Sequence, residues 1–440
     1  MTALPDSPRG TAYGDGDAGR TPAGFARPRL ALGLLAAVFA IHFLDRQLFA
    51  ILIPPIKAEL GLSDTALGFL AGFAFTLLYS FAGLLIARIA DRTDRVRVIA
   101  WSLAFFSAMT ALCGFATGFW QLLAARLGVG AGEGGTNPAS HALIADAFAP
   151  GERSTAMAIY SVGPNLGIVL AFGLGGWAAQ SHGWRAAFFA AGGLGLALAI
   201  VVRLLMRDPR AAERVMHRRE PPAATEVMRA IFRSEALRNL FLAATLATAA
   251  ALAVVTWLPA VLTRSHGLTL AQAGVYLAAV IGIAGAAGTY ACGRFADRAA
   301  RGQAAQTLRF LTQLQLLLAV LLSLAIAIEG RTGFLVALVV PLVLVAGYIG
   351  PSLALAQGLF DPRARALSAA LYLLVVNLIG AGVGPLVVGA LSDLLTQRFG
   401  AHALRYAIVA APVFWLAAAW YYGRASRALS RVGSRVGSET

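Results

Sequence analysis

The sequence predicts an all-α polytopic membrane protein in which twelve transmembrane helices form two six-helix bundles. Of its 440 residues, 58% are hydrophobic and 13% are charged, whereas a soluble domain carries about 25% charged residues. A helix that crosses a bilayer needs roughly 20 apolar residues, so the apolar content suffices for about twelve crossings. The mean hydropathy of +0.72 agrees with this fold class.

The apolar segments occur in two sets of six, which we number spans 1 to 12. The first set lies near residues 30–55, 65–88, 98–117, 120–146, 153–179 and 185–205. The second set lies near residues 239–262, 271–293, 305–328, 333–359, 365–392 and 403–423. Only Thr117 and Gly118 separate spans 3 and 4, so the number of spans depends most on that boundary.

The segments outside the spans divide the chain into five regions. Residues 1–28 lack an apolar run and predict a disordered cytoplasmic tail rather than a signal peptide. The bundles 29–206 and 239–424 flank a cytoplasmic linker at 207–238, and residues 425–440 form a second cytoplasmic tail. An amphipathic helix is predicted in the linker, which acts as a tether or, alternatively, in regulation. Its apolar face comprises Val227, Met228, Ile231 and Phe232.

The distribution of positive charge predicts the orientation of the chain. With both termini in the cytoplasm, 28 of the 36 Lys and Arg residues lie inside and six lie outside. Cytoplasmic loops are rich in Lys and Arg, so this bias explains the net charge of +15 without a nucleic-acid partner. The outer cations are Lys57, Arg185, Arg264, Arg331, Arg398 and Arg405, whereas Arg46 and Arg126 lie within spans.

Several enzyme classes are excluded by missing motifs. Lys57 is the only lysine and does not follow a glycine, so the chain has no Walker A loop. The H-E-x-x-H and G-x-S-x-G motifs are also absent. Cys113 and Cys292 are isolated in apolar segments, where we expect them to pack rather than to bind metal. We therefore predict no enzyme, no catalytic residue, no cofactor and no metal site.

The two halves contain related sequences, which indicates an internal repeat. The loop after span 2, residues 87–95, and the loop after span 8, residues 293–301, match at an offset of 206. Spans 5 and 11 match at an offset of 212. The matched pairs are Asp91/Asp297, Arg92/Arg298, Arg95/Arg301, Arg153/Arg365, Ala158/Ala370 and Asn165/Asn377.

These loops resemble the signature G-x-x-x-D-R-x-G-R of the major facilitator superfamily, whose two six-helix halves bind substrate between them. The first copy departs from that signature at Ala87 and Asp94, and the second at Ala300. The resemblance implies that the loop Asp residues close the cytoplasmic side, Asp91 near Arg365 and Asp297 near Arg153. The implied gate comprises Asp91, Arg92, Arg95, Arg153, Asp297, Arg298, Arg301 and Arg365.

Within that superfamily, residues 42–209 are similar to the bacterial spinster-like group, and the second half is less so. The similarity rests on Asp45-Arg46-Gln47, on residues 56–64 (IKAELGLSD), on residues 130–134 (GAGEG) and on residues 183–188 (GWRAAF). It implies functional roles for the Asp-Arg pair of span 1 and for Glu133 of span 4.

Ionisable residues at mid-membrane depth are costly and usually face a cavity. In span 4, Arg126, Gly130, Glu133 and Asn137 follow helical spacing, and Gly130 leaves a predicted gap in that stripe. An alternative is a buried ion-pair network that only fixes helix packing, and His42 alone suits a structural core histidine. The candidate substrate and proton site comprises His42, Asp45, Arg46, Tyr79, Arg126, Glu133 and Asn137.

The charges of this site suggest a mechanism. Two arginines and two carboxylates sum to zero, so protonation of one carboxylate leaves a positive charge that suits an anion. We expect Arg46 to bind the anion and thereby release an acid partner, which couples anion binding to protonation.

We therefore predict a monomeric secondary active transporter of the bacterial inner membrane, working by alternating access and coupled to protons. Its partners are membrane lipids, protons and an amphipathic or organic anion, which the spinster-like resemblance suggests is a lysolipid or sphingoid phosphate. The alternatives are a proton-linked carrier of small carboxylates or aromatic acids, and a drug exporter.

Overall fold

The computed structural model describes residues 27–90, 92–149, 151–208, 224–300, 303–360 and 364–436, a part of the chain that is helical without a β-strand. Ten of its helices are long and apolar enough to cross a membrane. One of them, Leu367–Arg431, has 65 residues. At ~1.5 Å per residue this length is about 98 Å, which corresponds to two crossings. The interrupted helix of span 4 supplies the twelfth crossing.

The helix bounds confirm the twelve-helix fold class. Spans 1 to 6 are Pro28–Leu60, Asp64–Ala90, Arg95–Cys113, Phe119–Glu133 with Thr136–Ala147, Arg153–His182 and Trp184–Leu205. Spans 7 to 12 are Glu235–Arg264, Leu270–Ala299, Ala304–Ala327, Arg331–Gly358, Arg365–Val375 continued by Val376–Ala381 and Gly382–Phe399, and Ala410–Val436. Two short helices, Gly400–His402 and Ala403–Ala407, join spans 11 and 12.

The regions predicted outside the spans differ in part from the structure. A linker helix, Ala224–Arg233, contains the predicted apolar face, but only Val227 and Ile231 are buried while Met228 and Phe232 are exposed. Span 12 continues to Val436, so helix occupies most of the segment predicted as the second tail. Residues 1–26 and 209–223 lie outside the described residues.

Local capping explains where several spans begin. The side chain of Ser63 accepts a hydrogen bond from the backbone N–H of Ala66 at the start of span 2. Asp94 caps span 3 by accepting hydrogen bonds from the backbone N–H groups of Val96 and Arg97. This cap gives a local reason for an aspartate where the resembling signature has glycine.

Four of the spans contain a π-helical segment near their middle. These segments are Leu70–Ala74 in span 2, Leu170–Leu174 in span 5, Ala278–Ala284 in span 8 and Val376–Ala381 in span 11. The same four spans bring the two halves together, span 2 against span 11 and span 5 against span 8. Because π-helical segments are frequent at functional sites, they direct attention to the interface between the halves.

Candidate functional site

A buried ion pair joins Asp45 of span 1 to Arg126 of span 4. The Nη1 atom of Arg126 donates a hydrogen bond of 2.9 Å to Oδ2 of Asp45. Thr110 of span 3 donates its hydroxyl hydrogen to the other carboxylate oxygen. Both charged side chains are almost fully buried, so each group depends on its partner for stabilisation. Three spans of the first half are thereby tied together at one point.

The Arg126 guanidinium lies between two aromatic rings. Its central carbon is 4.7 Å from the ring centre of Phe49 and 5.2 Å from that of Phe75. The remaining guanidinium atoms, Nε and Nη2, are buried without a hydrogen-bond partner. Stacking on aromatic rings therefore supplements the single carboxylate as compensation for the buried charge.

A second buried pair brings His42 of span 1 to Glu133 of span 4. The Nε2 atom of His42 lies 2.9 Å from Oε2 of Glu133, and both side chains are buried. The other carboxylate oxygen, Oε1, has no hydrogen-bond partner. The helix of span 4 ends at Glu133 and resumes at Thr136, so the carboxylate lies beside a helix break.

Arg46 differs from its neighbour Asp45 because successive helical residues point about 100° apart. Its guanidinium carbon lies 5.1 Å from the ring centre of Phe75, on which Arg126 also stacks. Arg46 is partly exposed and forms no ion pair with any carboxylate among the described residues. It interacts electrostatically with Glu133.

This arrangement corrects the expectation that an anion would separate Arg46 from an acid partner. The partner of Asp45 is Arg126 rather than Arg46, and the partner of Glu133 is His42. The unpaired cation of the site is Arg46. Adjacent positions in the sequence could not reveal this, because the rotation of each helix decides which residue reaches which neighbour.

The predicted gap at Gly130 is wrong, because the backbone of span 2 fills it. A Cβ atom added to Gly130 would lie 2.2 Å from the carbonyl oxygen of Phe75. Gly130 thus allows spans 2 and 4 to approach closely, which brings Tyr79 of span 2 to the site. The Tyr79 ring lies edge-on to His42, with 5.7 Å between ring centres.

Asn137 lies beyond the break in span 4 and contacts a different neighbour. Its Oδ1 atom accepts a hydrogen bond of 2.8 Å from the hydroxyl group of Tyr160 in span 5. Tyr160 in turn stacks on Phe39 of span 1, with 4.6 Å between ring centres. Asn137 therefore joins spans 4 and 5 at the edge of the charged cluster.

The second half contributes polar but uncharged groups at this depth. The hydroxyl groups of Thr248 in span 7 and Tyr348 in span 10 are 2.6 Å apart and buried. The charged residues of the second half lie toward the ends of its spans, whereas His42, Asp45, Arg46, Arg126 and Glu133 lie within spans of the first half. Any fixed charge that meets a substrate at this depth therefore comes from the first half.

The two halves are joined at one end of the bundle, which we call the closed end. Asp64 of span 2 accepts hydrogen bonds of 2.9 and 3.0 Å from Arg264 of span 7 and one of 2.7 Å from Ser392 of span 11. Asp393 of span 11 accepts three hydrogen bonds from Asp64 and Thr65 of span 2. A cross-half hydrogen bond also runs from the Ala271 N–H to Gln180.

Within the described residues, every hydrogen bond that we identify between the halves lies at this closed end. Glycine contacts support the closure: Cβ atoms added to Gly68 and Gly274 would lie 2.5 Å from the Pro385 oxygen and 2.1 Å from the Phe172 oxygen. Sequence reasoning missed this network because charges at span ends are ordinary. The one sequence feature that pointed to this network was Asp64 at the start of a helix, where a carboxylate is favourable.

The described members of the predicted gate lie at the opposite end and do not join the halves there. Arg153 donates to the carbonyl oxygen of Phe148, and no ion pair links it to Asp297. Arg95 pairs with Asp146 of its own half. Arg92, Asp297, Arg298 and Arg365 are exposed. Asp91 and Arg301 lie outside the described residues.

The geometry therefore provides a positive group within the first half, and the hydrogen bonds identified between the halves lie at one end of the described structure. Residues 35–385 match the family model described as Major Facilitator Superfamily. The chain belongs to the major facilitator superfamily. Members of this superfamily have twelve helices in two related halves, which is the architecture described above. The protein is therefore a membrane transporter and not an enzyme.

Individual relatives extend the comparison. An efflux pump of this superfamily from Mycolicibacterium smegmatis is 35% identical over 407 residues, which cover 89% of this chain and 92% of that protein. The 3-(3-hydroxy-phenyl)propionate transporter of Escherichia coli is 29% identical over 393 residues, 87% and 92% of the two chains. The chain also resembles the crystal structure of a bacterial homologue of the human lysosomal transporter Spinster in an inward-facing, unoccupied conformation. The TM-score is 0.82 at 26% identity, over 92% of this chain and 98% of the other.

Proposed function

We propose that this transporter carries an organic anion and that Arg46 binds the negative charge of the substrate. The observation that carries the proposal is that Arg46 is a mid-membrane cation that is partly exposed and has no carboxylate partner among the described residues. A guanidinium group has the geometry to bind a carboxylate or phosphate through two parallel hydrogen bonds.

The substrate that suits this site has an apolar or aromatic body. Arg46 lies over Phe75, and Tyr79 stacks on the same ring with 5.5 Å between ring centres. Amphipathic phosphates, as the spinster likeness suggests, and aromatic carboxylates, as the Escherichia coli relative suggests, both combine an anionic group with such a body. The 35% sequence identity between this chain and an efflux pump favours export as the direction of transport.

Proton coupling is assigned to the His42–Glu133 pair. Asp45 and Arg126 neutralise each other, so Arg46 and Glu133 determine the charge of the site. When the pair takes up a proton, the site gains one positive charge next to Arg46, which strengthens anion binding.

The described conformation corresponds to one state of alternating access. We place the closed end outside the cell and the end with Asp297 in the cytoplasm, following the positive charge of the loops. The structure is then inward-facing, and the gate residues at the cytoplasmic end would meet only in the outward-facing state. This interpretation explains why Asp297 and Arg365 are exposed here.

Ligand binding to Arg46 variants tests the proposal. We expect aromatic carboxylates, lysophospholipids or sphingoid phosphates of one class to stabilise the purified protein against thermal unfolding. Arg46→Ala should reduce the affinity at least tenfold, because loss of a charge-assisted hydrogen bond costs about 1.5–3 kcal/mol. Arg46→Lys should retain part of the affinity for the anion.

Arg309→Ala provides the matched control, because Arg309 is an exposed arginine near the start of span 9. Its affinity should equal that of the wild type. If Arg46→Ala binds the same anion with unchanged affinity, Arg46 is not the anion site. Counterflow in proteoliposomes then distinguishes a carrier, in which substrate on the far side accelerates exchange, from a channel.

A further inference from the structure

One face of span 12 combines an apolar stripe with a basic stripe. The residues recur three or four positions apart and therefore lie on one side of the helix. The apolar members are 43–57% exposed, which places them on the outer surface of the bundle, where the described chain does not cover them. In order, the stripe comprises Val409 in the turn before the helix, then Val413, Leu416, Trp420, Arg424, Arg427 and Arg431.

The basic part of this stripe lines a cavity at the end of the bundle opposite the closed end. The cavity has a volume of about 290 Å³ and is bounded by span 12 and by Glu235 at the start of span 7. It adjoins a groove of about 520 Å³ that runs between the same two spans and reaches Leu359 after span 10. The basic stripe therefore borders a concave surface large enough for a ligand headgroup.

Among its described lining residues, the cavity has more arginine side chains than carboxylates. Arg424 donates a hydrogen bond of 3.0 Å to Glu235, and its guanidinium carbon lies 5.0 Å from the ring centre of Trp420. These two contacts orient the Arg424 side chain. Arg427 and Arg431 lie on the same wall. This excess of guanidinium groups suits an anion such as a phosphate group.

The apolar stripe ends near the membrane surface. Trp420 lies three residues before the end of the apolar segment 403–423. This is the level where tryptophan is enriched in membrane proteins, between the acyl chains and the headgroups. The arginines follow at the headgroup level.

We propose that this face of span 12 is a binding site for one anionic phospholipid. The phosphate lies among Arg424, Arg427 and Arg431, and the acyl chains follow Val413 and Leu416. Guanidinium groups bind phosphate through charge-assisted hydrogen bonds, and basic pockets between transmembrane helices bind anionic lipid headgroups. A soluble phosphate would use the arginines but not the apolar stripe, which is why the geometry points to a lipid. The site is separate from the Arg46 site and does not depend on it.

Lipid retention by the purified full-length protein tests this proposal. We expect native mass spectrometry to show retention of phosphatidylglycerol in preference to phosphatidylcholine. The double variant Arg424→Gln/Arg427→Gln should lose at least tenfold in retention. Glu235→Gln should bind phosphatidylglycerol more tightly, because it removes the one carboxylate from the cavity. Because Glu235→Gln is expected to increase retention rather than to reduce it, it tests the proposal even if the double variant is poorly folded.

The matched control is Arg203→Gln/Arg309→Gln, which removes two exposed arginines that lie outside the cavity lining. It should retain phosphatidylglycerol like the wild type. Equal loss in this control, or equal retention of both lipids by the wild type, would overturn the proposal. So would displacement of the lipid by millimolar inorganic phosphate, because the site would then recognise a free anion rather than a phospholipid.

Discussion

At the scale of single residues, Asp45 and Arg46 show how neighbours in sequence acquire different roles. Asp45 points toward spans 3 and 4, where Thr110 and Arg126 bind it. Arg46 points over Phe75 and lacks an acidic partner within the described chain. The first residue therefore holds the bundle together, whereas the second provides the charge that we propose binds a ligand.

The Asp45–Arg126 pair leads to a prediction about stability. Asp45→Ala leaves Arg126 charged, buried and without a carboxylate, which should lower the free energy of unfolding by about 3–5 kcal/mol. The double variant Asp45→Leu/Arg126→Met removes both charges and should recover most of that loss. The midpoint of thermal unfolding in detergent measures both effects. A single variant as stable as the wild type would show that the pair is not important for folding.

The Glu133–His42 pair leads to a prediction about pH. In the wild type, anion affinity should rise as the pH falls, because uptake of a proton by the pair adds positive charge beside Arg46. Glu133→Gln fixes the neutral form, so its affinity should be high and independent of pH. Since coupling free energies are typically about 1–3 kcal/mol, the gain at high pH should be about 5- to 150-fold. Anion titrations at several pH values measure it, and an unchanged pH profile in this variant would assign the proton elsewhere.

The sequence identified the charged residues of the site but not their pairing. His42, Asp45, Arg126 and Glu133 were recognisable because charges are rare and costly within spans. Which acid meets which base depends on the rotation of spans 1 and 4 about their axes, and no local pattern determines that rotation. The closure by Asp64, Arg264 and Asp393 was missed because these residues lie at span ends, where charges are common.

At the scale of helices, glycines decide how closely the spans pack. Gly130 lets span 4 contact the backbone of span 2, and Gly384 does the same for span 11 against span 7. The sequence instead predicted a gap at Gly130. The break in span 4 after Glu133 was not predicted, because the apolar segment 120–146 continues across it.

Substitution of Gly130 tests this packing. Gly130→Ala places a Cβ atom 2.2 Å from a backbone oxygen of span 2, so the helices must separate, at a cost of about 1–3 kcal/mol. Gly193→Ala is the matched control, because no atom lies within 4 Å of its added Cβ. The control should be unchanged or slightly more stable, since alanine favours helix. Thermal unfolding in detergent compares the two, and equal stability would contradict the close approach.

At the scale of the whole molecule, the asymmetry between the two ends defines the conformation. The closed end is joined by hydrogen bonds across the halves, and the opposite end has none among the residues described. The number of spans and the division into halves followed from hydropathy and the repeated loop. The conformation did not, because one sequence must fold into both states of a transporter, which differ in how rigid halves meet.

Removal of the cross-half ion pair tests the closure. Arg264→Gln should shift the population toward the state that is open at this end. Spin labels at Ser181 and Gln397, exposed residues near the ends of spans 5 and 11, should then report longer distances in pulsed electron paramagnetic resonance. Lys57→Gln is the matched control, because Lys57 binds Asp64 from within the same half. An unchanged distance distribution in Arg264→Gln would mean that other contacts keep the end closed.

The position of Lys57 has a practical consequence. Its amino group lies 2.7 Å from Oδ1 of Asp64, at the point where the halves meet, and the sequence contains no other lysine. An amine-reactive fluorophore therefore has one side-chain target in the entire protein. Its attachment rate, measured with and without substrate, would follow the opening of the closed end without any engineered cysteine.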